Sequence, residues 1–181
     1  MRVLRSNENS VLWLIEGQPT AAANLRREAE KRGLSAERLI FAPKISLPDH
    51  LARHRHIDLF LDTLPYNAHT TASDALWAGI PVLTSLGTTF AGRVAGSLLK
   101  AIGLDELITH SLEEYEAMAT QLAQEPSRLA GLKDRLARNR NNHPLFNTER
   151  FAHHIETAFL TMWERYQRGE PPEAFTVSEL A

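Results

Sequence analysis

The sequence contains no cysteine among its 181 residues. That absence excludes a disulfide framework, a zinc site with cysteine ligands and a thiol nucleophile. No apolar run approaches the ~20 residues that a membrane-spanning helix requires. The first ten residues also lack the long apolar stretch of a secretory signal peptide. We therefore expect a soluble, cytoplasmic protein with no membrane partner.

The sequence also has little excess of either charge. Twenty Lys and Arg residues stand against 22 Asp and Glu residues, a formal net charge of −2, which argues against a nucleic-acid partner bound by bulk charge. The dinucleotide-binding, P-loop and HExxH motifs are absent. The adjacent residues His153 and His154 point in different directions on a helix, so we expect no metal site.

Short apolar runs alternate with helical patterns along the first 110 residues. The predicted strands cover residues 11–15, 39–42, 57–61, 81–84 and 106–109. This spacing is typical of βαβ units and a parallel sheet, and the runs are nearly continuous, as in strands covered on both faces. Three helical stretches follow. We expect one α/β domain over residues 1–168 and a mobile tail over residues 169–181.

The most informative loop follows the third predicted strand, where ligands of parallel sheets bind. Thr70 and Thr71 fall where the next helix should begin, and free N–H groups at a helix start form an anion site. His69 is placed to donate to a phosphate oxygen, and Asp74 to accept from a ribose hydroxyl. In the plainer interpretation, one threonine is only an N-cap and Asp74 only complements the helix dipole.

Two further loops are candidates. In the loop after the fourth strand, Thr88 or Thr89 is expected to cap the next helix or to hold a phosphate. After the second strand, Asp49 is expected as an N-cap. His50 and Arg53 lie three residues apart on one helical face, where they can meet a base, ribose or phosphate. The plainer interpretation of that pair is a solvated basic face.

Residues 59–84, LFLDTLPYNAHTTASDALWAGIPVLT, closely resemble the donor-binding segment of the O-linked N-acetylglucosamine transferase family. These are protein glycosyltransferases linked to tetratricopeptide repeats. The similarity continues through SVLWLIEG and LIFAP upstream and through FAGRVAGSLL, HPLFNTERF and MWERY downstream, over about residues 10–168. The resemblance implies that this chain is the C-terminal, Rossmann-like half of a GT-B fold, with C-terminal covering helices.

The resemblance also implies a ligand and roles for individual residues. The donor would be UDP-N-acetylglucosamine or another UDP-hexose, the acceptor a protein Ser or Thr hydroxyl, and no cofactor would be needed. The implied donor contacts are His69, Thr70 and Thr71 to the diphosphate, Asp74 to the ribose, His50 against the nucleotide, and Arg53 and the backbone near Ile45 against the base.

The sequence departs from the family pattern in three places. The base-contacting lysine of the family is replaced by Leu47, with Lys44 nearer the preceding turn. The family's GET loop is Gly87-Thr88-Thr89, without the acid. The family's domain also begins with one more strand and helix, and without them a sheet edge is exposed, so we expect self-association through that edge.

We expect little transferase activity from this chain alone, because the acceptor-side domain of the family has no counterpart in it. Two alternatives remain open from the sequence. One is a different GT-B enzyme that uses a nucleotide sugar. The other is a non-enzymatic nucleotide-binding or interaction module.

Overall fold

Short parallel strands alternate with helices in the computed structural model, which describes residues 1–178. The strands are β1 Leu12–Ile15, β2 Leu39–Ala42, β3 Phe60–Leu61, β4 Val82–Ser85 and β5 Ile108–Thr109. The helices are α1 Arg2–Ser6, α2 Pro19–Lys31, α3 Leu47–Arg53, α4 Thr70–Trp77, α5 Val94–Ala101, α6 Leu112–Gln124, α7 Pro126–Asn142 and α8 Thr148–Gln167.

The strands form two parallel sheets within the described residues. In one sheet β1 pairs with β2, and in the other β4 lies between β3 and β5. All four residues of β4 are buried, as expected for a central strand covered on both faces. The predicted α/β class with parallel strands is confirmed, and five predicted strands are present, although β3 and β5 are only two residues long.

The main hydrophobic core surrounds β4. It combines the inner faces of α4, α5, α6 and α7, and includes Leu76, Leu83, Leu99, Leu122 and Leu136. A smaller cluster packs α1 and α2 against β2 through Leu4, Ala29, Leu34 and Leu39. Because the larger core fixes β3, β4 and their flanking helices, the loops that leave these strands rest on a rigid base.

Several local expectations are corrected by the structure. Helix α1 lies where no element was predicted. Helix α3 begins at Leu47, and its N-cap is Ser46 and not Asp49: the Ser46 hydroxyl accepts from the Asp49 N–H at 3.4 Å. A serine hydroxyl at that position satisfies an N–H that the helix itself leaves unpaired.

Helix α8 presents an unusual face to the rest of the molecule. Its half-buried residues are mostly polar or small, and they include His154, Thr157, Thr161 and Arg165. Its large apolar side chains point outward and are exposed. We call the following residues the apolar stripe of α8: Phe151, Ile155, Phe159, Met162, Trp163 and Tyr166.

Beyond α8 the chain turns back toward the helix. The Arg165 guanidinium donates to the Pro171 carbonyl at 3.1 Å and to the Glu173 carboxylate at 2.8 Å. Residues 179–181 of the predicted tail lie outside the described residues. Within residues 1–178, no helix is both long enough and apolar enough to cross a bilayer.

Candidate nucleotide-sugar site

Two loops meet at the carboxyl ends of β3 and β4, where ligands of parallel sheets bind. The first loop runs from residue 62 to residue 69 and leads into α4, and the second runs from residue 86 to residue 93 and leads into α5. The backbone N–H of Asn67 donates to the Ala91 carbonyl at 3.0 Å and joins them. The two loops therefore form one surface at the edge of the sheet.

Asp62 organises the first loop from inside. This buried carboxylate accepts from the backbone N–H of Thr63 at 2.8 Å and of Ala68 at 2.6 Å. Its second oxygen accepts from the Thr84 hydroxyl of β4 at 2.6 Å. The Tyr115 hydroxyl of α6 donates to the Asp62 carbonyl at 2.9 Å. One side chain thus ties both ends of the loop to the sheet.

Glycines allow the second loop to approach the first closely. The N–H of Gly87 donates to the Gly92 carbonyl at 2.7 Å, which closes the second loop on itself. A Cβ atom on Gly92 would lie 3.1 Å from the Pro65 carbonyl oxygen and 3.2 Å from the Gly87 Cα atom. A side chain at position 92 would therefore require the neighbouring backbone to shift by a few tenths of an ångström.

Helix α4 begins at the junction of these loops, with His69 as its N-cap and Thr70 as its first residue. Neither threonine is the N-cap, so that part of the plainer interpretation is wrong. Among the described residues, no side chain makes a cap hydrogen bond at this end. The first N–H groups of the helix, with the positive end of its dipole, are therefore available to an anion beside the exposed Thr70 and Thr71.

Two aromatic rings that were not predicted from the sequence contact the His69 imidazole. Its imidazole stacks on Tyr66, with ring centroids 4.9 Å apart and planes 16° apart. The ring of Phe90, from the second loop, meets it edge-on at 6.1 Å and 87°. A tyrosine three residues before a predicted phosphate ligand was the available sequence signal. The approach of Phe90 depends on tertiary structure.

His50 and Arg53 form a pair on α3. The Arg53 guanidinium donates to His50 Nδ1 from Nε at 3.1 Å and from Nη2 at 2.7 Å, and to the Pro43 carbonyl at 2.8 Å. A guanidinium has no acceptor atom, so Nδ1 must accept and the proton of the neutral ring lies on Nε2, where it can be donated to a ligand. The guanidinium also lies over the Trp13 ring of β1, 5.3 Å from its centroid. Trp13 was not predicted as part of the site.

The electrostatics of His50 link α3 to α4. Burial, His54 and Arg53, in that order of size, lower the pKa of His50 below its ordinary value of 6.5, and Asp74 opposes this by raising it. The charge of Asp74, on α4, is thus one of those that act on His50, on α3. A neutral His50 ring suits a contact with an uncharged base or sugar.

The remaining candidates lie at the margins. Ile45 and Leu47 are exposed on the segment that enters α3, and Lys44 precedes them. Thr89 does not cap α5, whose N-cap is Arg93. The Thr89 hydroxyl instead accepts from the Gly92 N–H at 3.1 Å. Thr88 is exposed on the same loop.

The sequence model of glycosyl transferase family 41 matches residues 1–155. The chain belongs to this family. Two curated family relatives are similar over nearly its whole length. A probable UDP-N-acetylglucosamine–peptide N-acetylglucosaminyltransferase, SEC, from Arabidopsis thaliana is 36% identical over 98% of this chain. A UDP-N-acetylglucosamine–peptide N-acetylglucosaminyltransferase from Caenorhabditis elegans is 31% identical over 97% of it.

Among solved structures, a mutant O-GlcNAc transferase from Thermobaculum terrenum matches this family 41 chain with a TM-score of 0.83 and 36% identity, over 90% of this chain and 32% of that one. This match confirms the predicted fold class, half of a GT-B fold. The chain spans only 18% and 15% of the lengths of the Arabidopsis and Caenorhabditis proteins.

Proposed function

We propose that this chain is the donor-binding half of an inverting protein O-glycosyltransferase. The donor is a UDP-hexose, UDP-N-acetylglucosamine in the first instance, and the acceptor of the complete enzyme is a protein Ser or Thr hydroxyl. The observation that carries the proposal is the open N-terminus of α4, flanked by His69 and facing two loops, in a family 41 chain. The names of the relatives support the choice of donor.

The residues proposed to bind the donor lie on or beside two helices, α3 and α4. The N–H groups of α4, the hydroxyls of Thr70 and Thr71, and His69 hold the diphosphate. Asp74 accepts from the ribose. His50, Arg53 and the backbone near Ile45 contact the nucleotide and its base. The hydrogen bonds from Arg53 to His50 and to the Pro43 carbonyl support this assignment, because they fix both side chains before a ligand arrives.

In the transfer step, the diphosphate site stabilises the leaving group. The acceptor hydroxyl attacks the anomeric carbon and gives its proton to a general base that we do not assign to this chain. The bond from that carbon to the β-phosphate oxygen breaks, and UDP leaves with the negative charge. Preorganised N–H donors and His69 stabilise that developing charge. We propose that transfer also needs family 41 regions beyond this chain, so the chain alone binds the donor with little or no turnover.

Titration calorimetry of the chain with UDP tests the proposal. We expect saturable binding that His69→Ala weakens by about tenfold or more, because a hydrogen bond to a charged group contributes about 1.5–3 kcal/mol. His153→Ala, on exposed α8, is the matched control and should bind as the parent does. A folded chain that gives no binding signal at millimolar UDP would overturn the proposal and favour an interaction module.

A donor screen and a turnover assay test the finer parts. We expect UDP-hexoses to bind more tightly than GDP-hexoses. Turnover of UDP-N-acetylglucosamine by the chain alone, abolished by His69→Ala, would contradict the expected need for further family 41 regions.

We also propose that the isolated chain self-associates through an open sheet edge. Within residues 1–178, β1 pairs only with β2 and β3 only with β4, so each leaves one edge without a strand partner. Unpaired edges are ready templates for pairing with another chain.

A further inference from the structure

We propose that Tyr66 and Phe90 are positioning residues that hold the His69 imidazole ready to donate to the diphosphate. We call these two residues the aromatic clamp. The inference rests on the proposed function, since it assigns a means of control to the same phosphate site. It names two residues for which neither the sequence nor the family resemblance gave a role.

Two aromatic rings, one stacked and one perpendicular, lie next to the His69 imidazole. Tyr66 lies nearly parallel to the imidazole, with planes 16° apart and centroids 4.9 Å apart. Phe90 presents its ring at 87°, with centroids 6.1 Å apart. Both arrangements are among the preferred geometries of aromatic pairs. His69 Nε2 also lies 3.4 Å from the Ala91 carbonyl oxygen, a long and weak hydrogen bond that the Nε2 proton must leave in order to meet a phosphate oxygen.

The clamp residues contribute little to the core. Tyr66 is 64% exposed and Phe90 is 77% exposed, so their rings bury little area elsewhere. Their loops are held by other groups: the Thr63 hydroxyl donates to the Tyr66 carbonyl at 2.8 Å, and the Arg93 N–H donates to the Phe90 carbonyl at 3.0 Å. The two side chains can therefore be changed while the loop backbone keeps its anchors.

The physical benefit is preorganisation. A half-exposed histidine samples several side-chain conformers, and a ligand that requires one of them bears the entropy cost of selecting it. Stacking on Tyr66 and edge contact with Phe90 favour one orientation before the ligand arrives. A Phe ring offers no hydrogen-bond donor to the phosphate, so its effect must pass through His69.

The first test compares UDP with uridine on the full chain. Uridine lacks the diphosphate, so the clamp should affect UDP alone. We expect Tyr66→Leu and Phe90→Leu each to weaken UDP binding by about three- to tenfold, the equivalent of one aromatic pair, with uridine binding unchanged. Tyr66→Phe keeps the stacked ring and should bind UDP like the parent. Tyr166→Leu, at another exposed tyrosine, on α8, is the matched control.

A double-mutant cycle separates positioning from direct contact. In the His69→Ala background, Tyr66→Leu should cause no further loss of UDP affinity, because the ring that it positions is gone. An equal loss in both backgrounds would show that Tyr66 acts directly on the nucleotide or on the fold, and would overturn the proposal. Equal losses for UDP and uridine would overturn it as well.

NMR of the ligand-free chain distinguishes failure of the clamp from failure of the proposed function. We expect nuclear Overhauser contacts between the Tyr66 and His69 rings, and averaging of the His69 side chain over several conformers in Tyr66→Leu. If the parent shows these contacts but binds no UDP, the proposed function fails and the clamp remains as a restraint on His69. Absence of the ring contacts in the parent overturns the clamp.

Discussion

At the scale of single residues, one buried carboxylate holds the loop that leads into α4 and the proposed phosphate site. Asp62 accepts three hydrogen bonds, two of them from backbone N–H groups of its own loop. In Asp62→Asn, the amide oxygen can keep both N–H donors, but the amide nitrogen then faces the buried Thr84 hydroxyl. That hydroxyl must accept, and its own proton loses its acceptor. We expect a loss of about 1–3 kcal/mol in the free energy of unfolding, measured by urea denaturation, together with weaker UDP binding.

The same substitution at Asp58 is a matched control for Asp62→Asn. Asp58 pairs with Lys133 at 2.9 Å, but its side chain is 78% exposed, and exposed ion pairs contribute little to stability. We expect Asp58→Asn to unfold at nearly the parent's urea concentration. Equal stability of the two variants would contradict the role assigned to Asp62.

The protonation of His50 gives a second prediction at this scale. Its pKa is lowered, so the folded chain binds this proton less tightly than the unfolded chain. His50 therefore costs no stability above pH 6.5 and destabilises the fold as the pH falls below that value. We expect an NMR titration to place the His50 midpoint below 6.5, and a midpoint at or above 6.5 would contradict the assigned environment.

Variants identify the neighbours that act on His50. Asp74→Asn should lower the His50 pKa further, because it removes the charge that opposes the shift. Arg53→Met should raise it only in part, because burial is the largest cause. Asp105→Asn, in the segment between α5 and β5, is the control and should leave the His50 pKa unchanged. An unchanged midpoint in Asp74→Asn would mean that α3 and α4 do not form one site.

At the scale of elements, the close packing of the two loops depends on glycine. In Gly92→Ala, the new Cβ atom meets the backbone of Pro65 and Gly87, so the loops must separate. We expect a loss of about 1–3 kcal/mol in stability, as for other overpacked sites, and weaker UDP binding. Thermal unfolding and calorimetry measure the two effects.

A substitution at a second glycine is a control for which we expect the opposite change in stability. Gly131 lies inside α7, where an added Cβ atom would meet nothing within 4 Å. Gly131→Ala should stabilise the chain by about 0.5–1 kcal/mol, because alanine favours helix and reduces the entropy of the unfolded chain. If Gly92→Ala stabilised the chain as Gly131→Ala is expected to, the two loops would have more freedom than their backbone contacts indicate.

At the scale of the whole molecule, the exposed apolar stripe of α8 is an alternative to the open sheet edge as the surface for the proposed self-association. An exposed apolar patch of this kind favours association. We expect the double variant Phe159→Lys, Trp163→Lys to lower the sedimentation coefficient at high protein concentration and to leave the melting temperature nearly unchanged, because these side chains are 63% and 55% exposed.

A variant in β1 distinguishes association through the sheet edge from association through the apolar stripe of α8. Ile15→Lys places a charge on an exposed position of β1, where charged residues discourage edge pairing. If Ile15→Lys lowers the sedimentation coefficient and the α8 double variant does not, the sheet edge is the associating surface. A parent chain that is monomeric at all concentrations would contradict self-association through either surface.

Local patterns of apolar residues and helix signals determined much of this protein. They predicted five short parallel strands, the helices between them and the position of the loop between β3 and α4, because strand and helix periodicity are properties of neighbouring residues. The resemblance of residues 59–84 predicted the family, and the match over residues 1–155 confirmed it. The roles assigned to His69, Thr70, Thr71 and Asp74 remain predictions.

Tertiary structure decided what depends on residues far apart in the chain. It brought Phe90 against His69, Trp13 beneath Arg53 and Thr84 to Asp62, pairs separated by about 20 to 40 positions. It also turned the apolar stripe of α8 outward, although periodicity alone would favour burying it. Such contacts depend on how helices and strands pack together, and packing is set by the whole core and not by the neighbours of each residue.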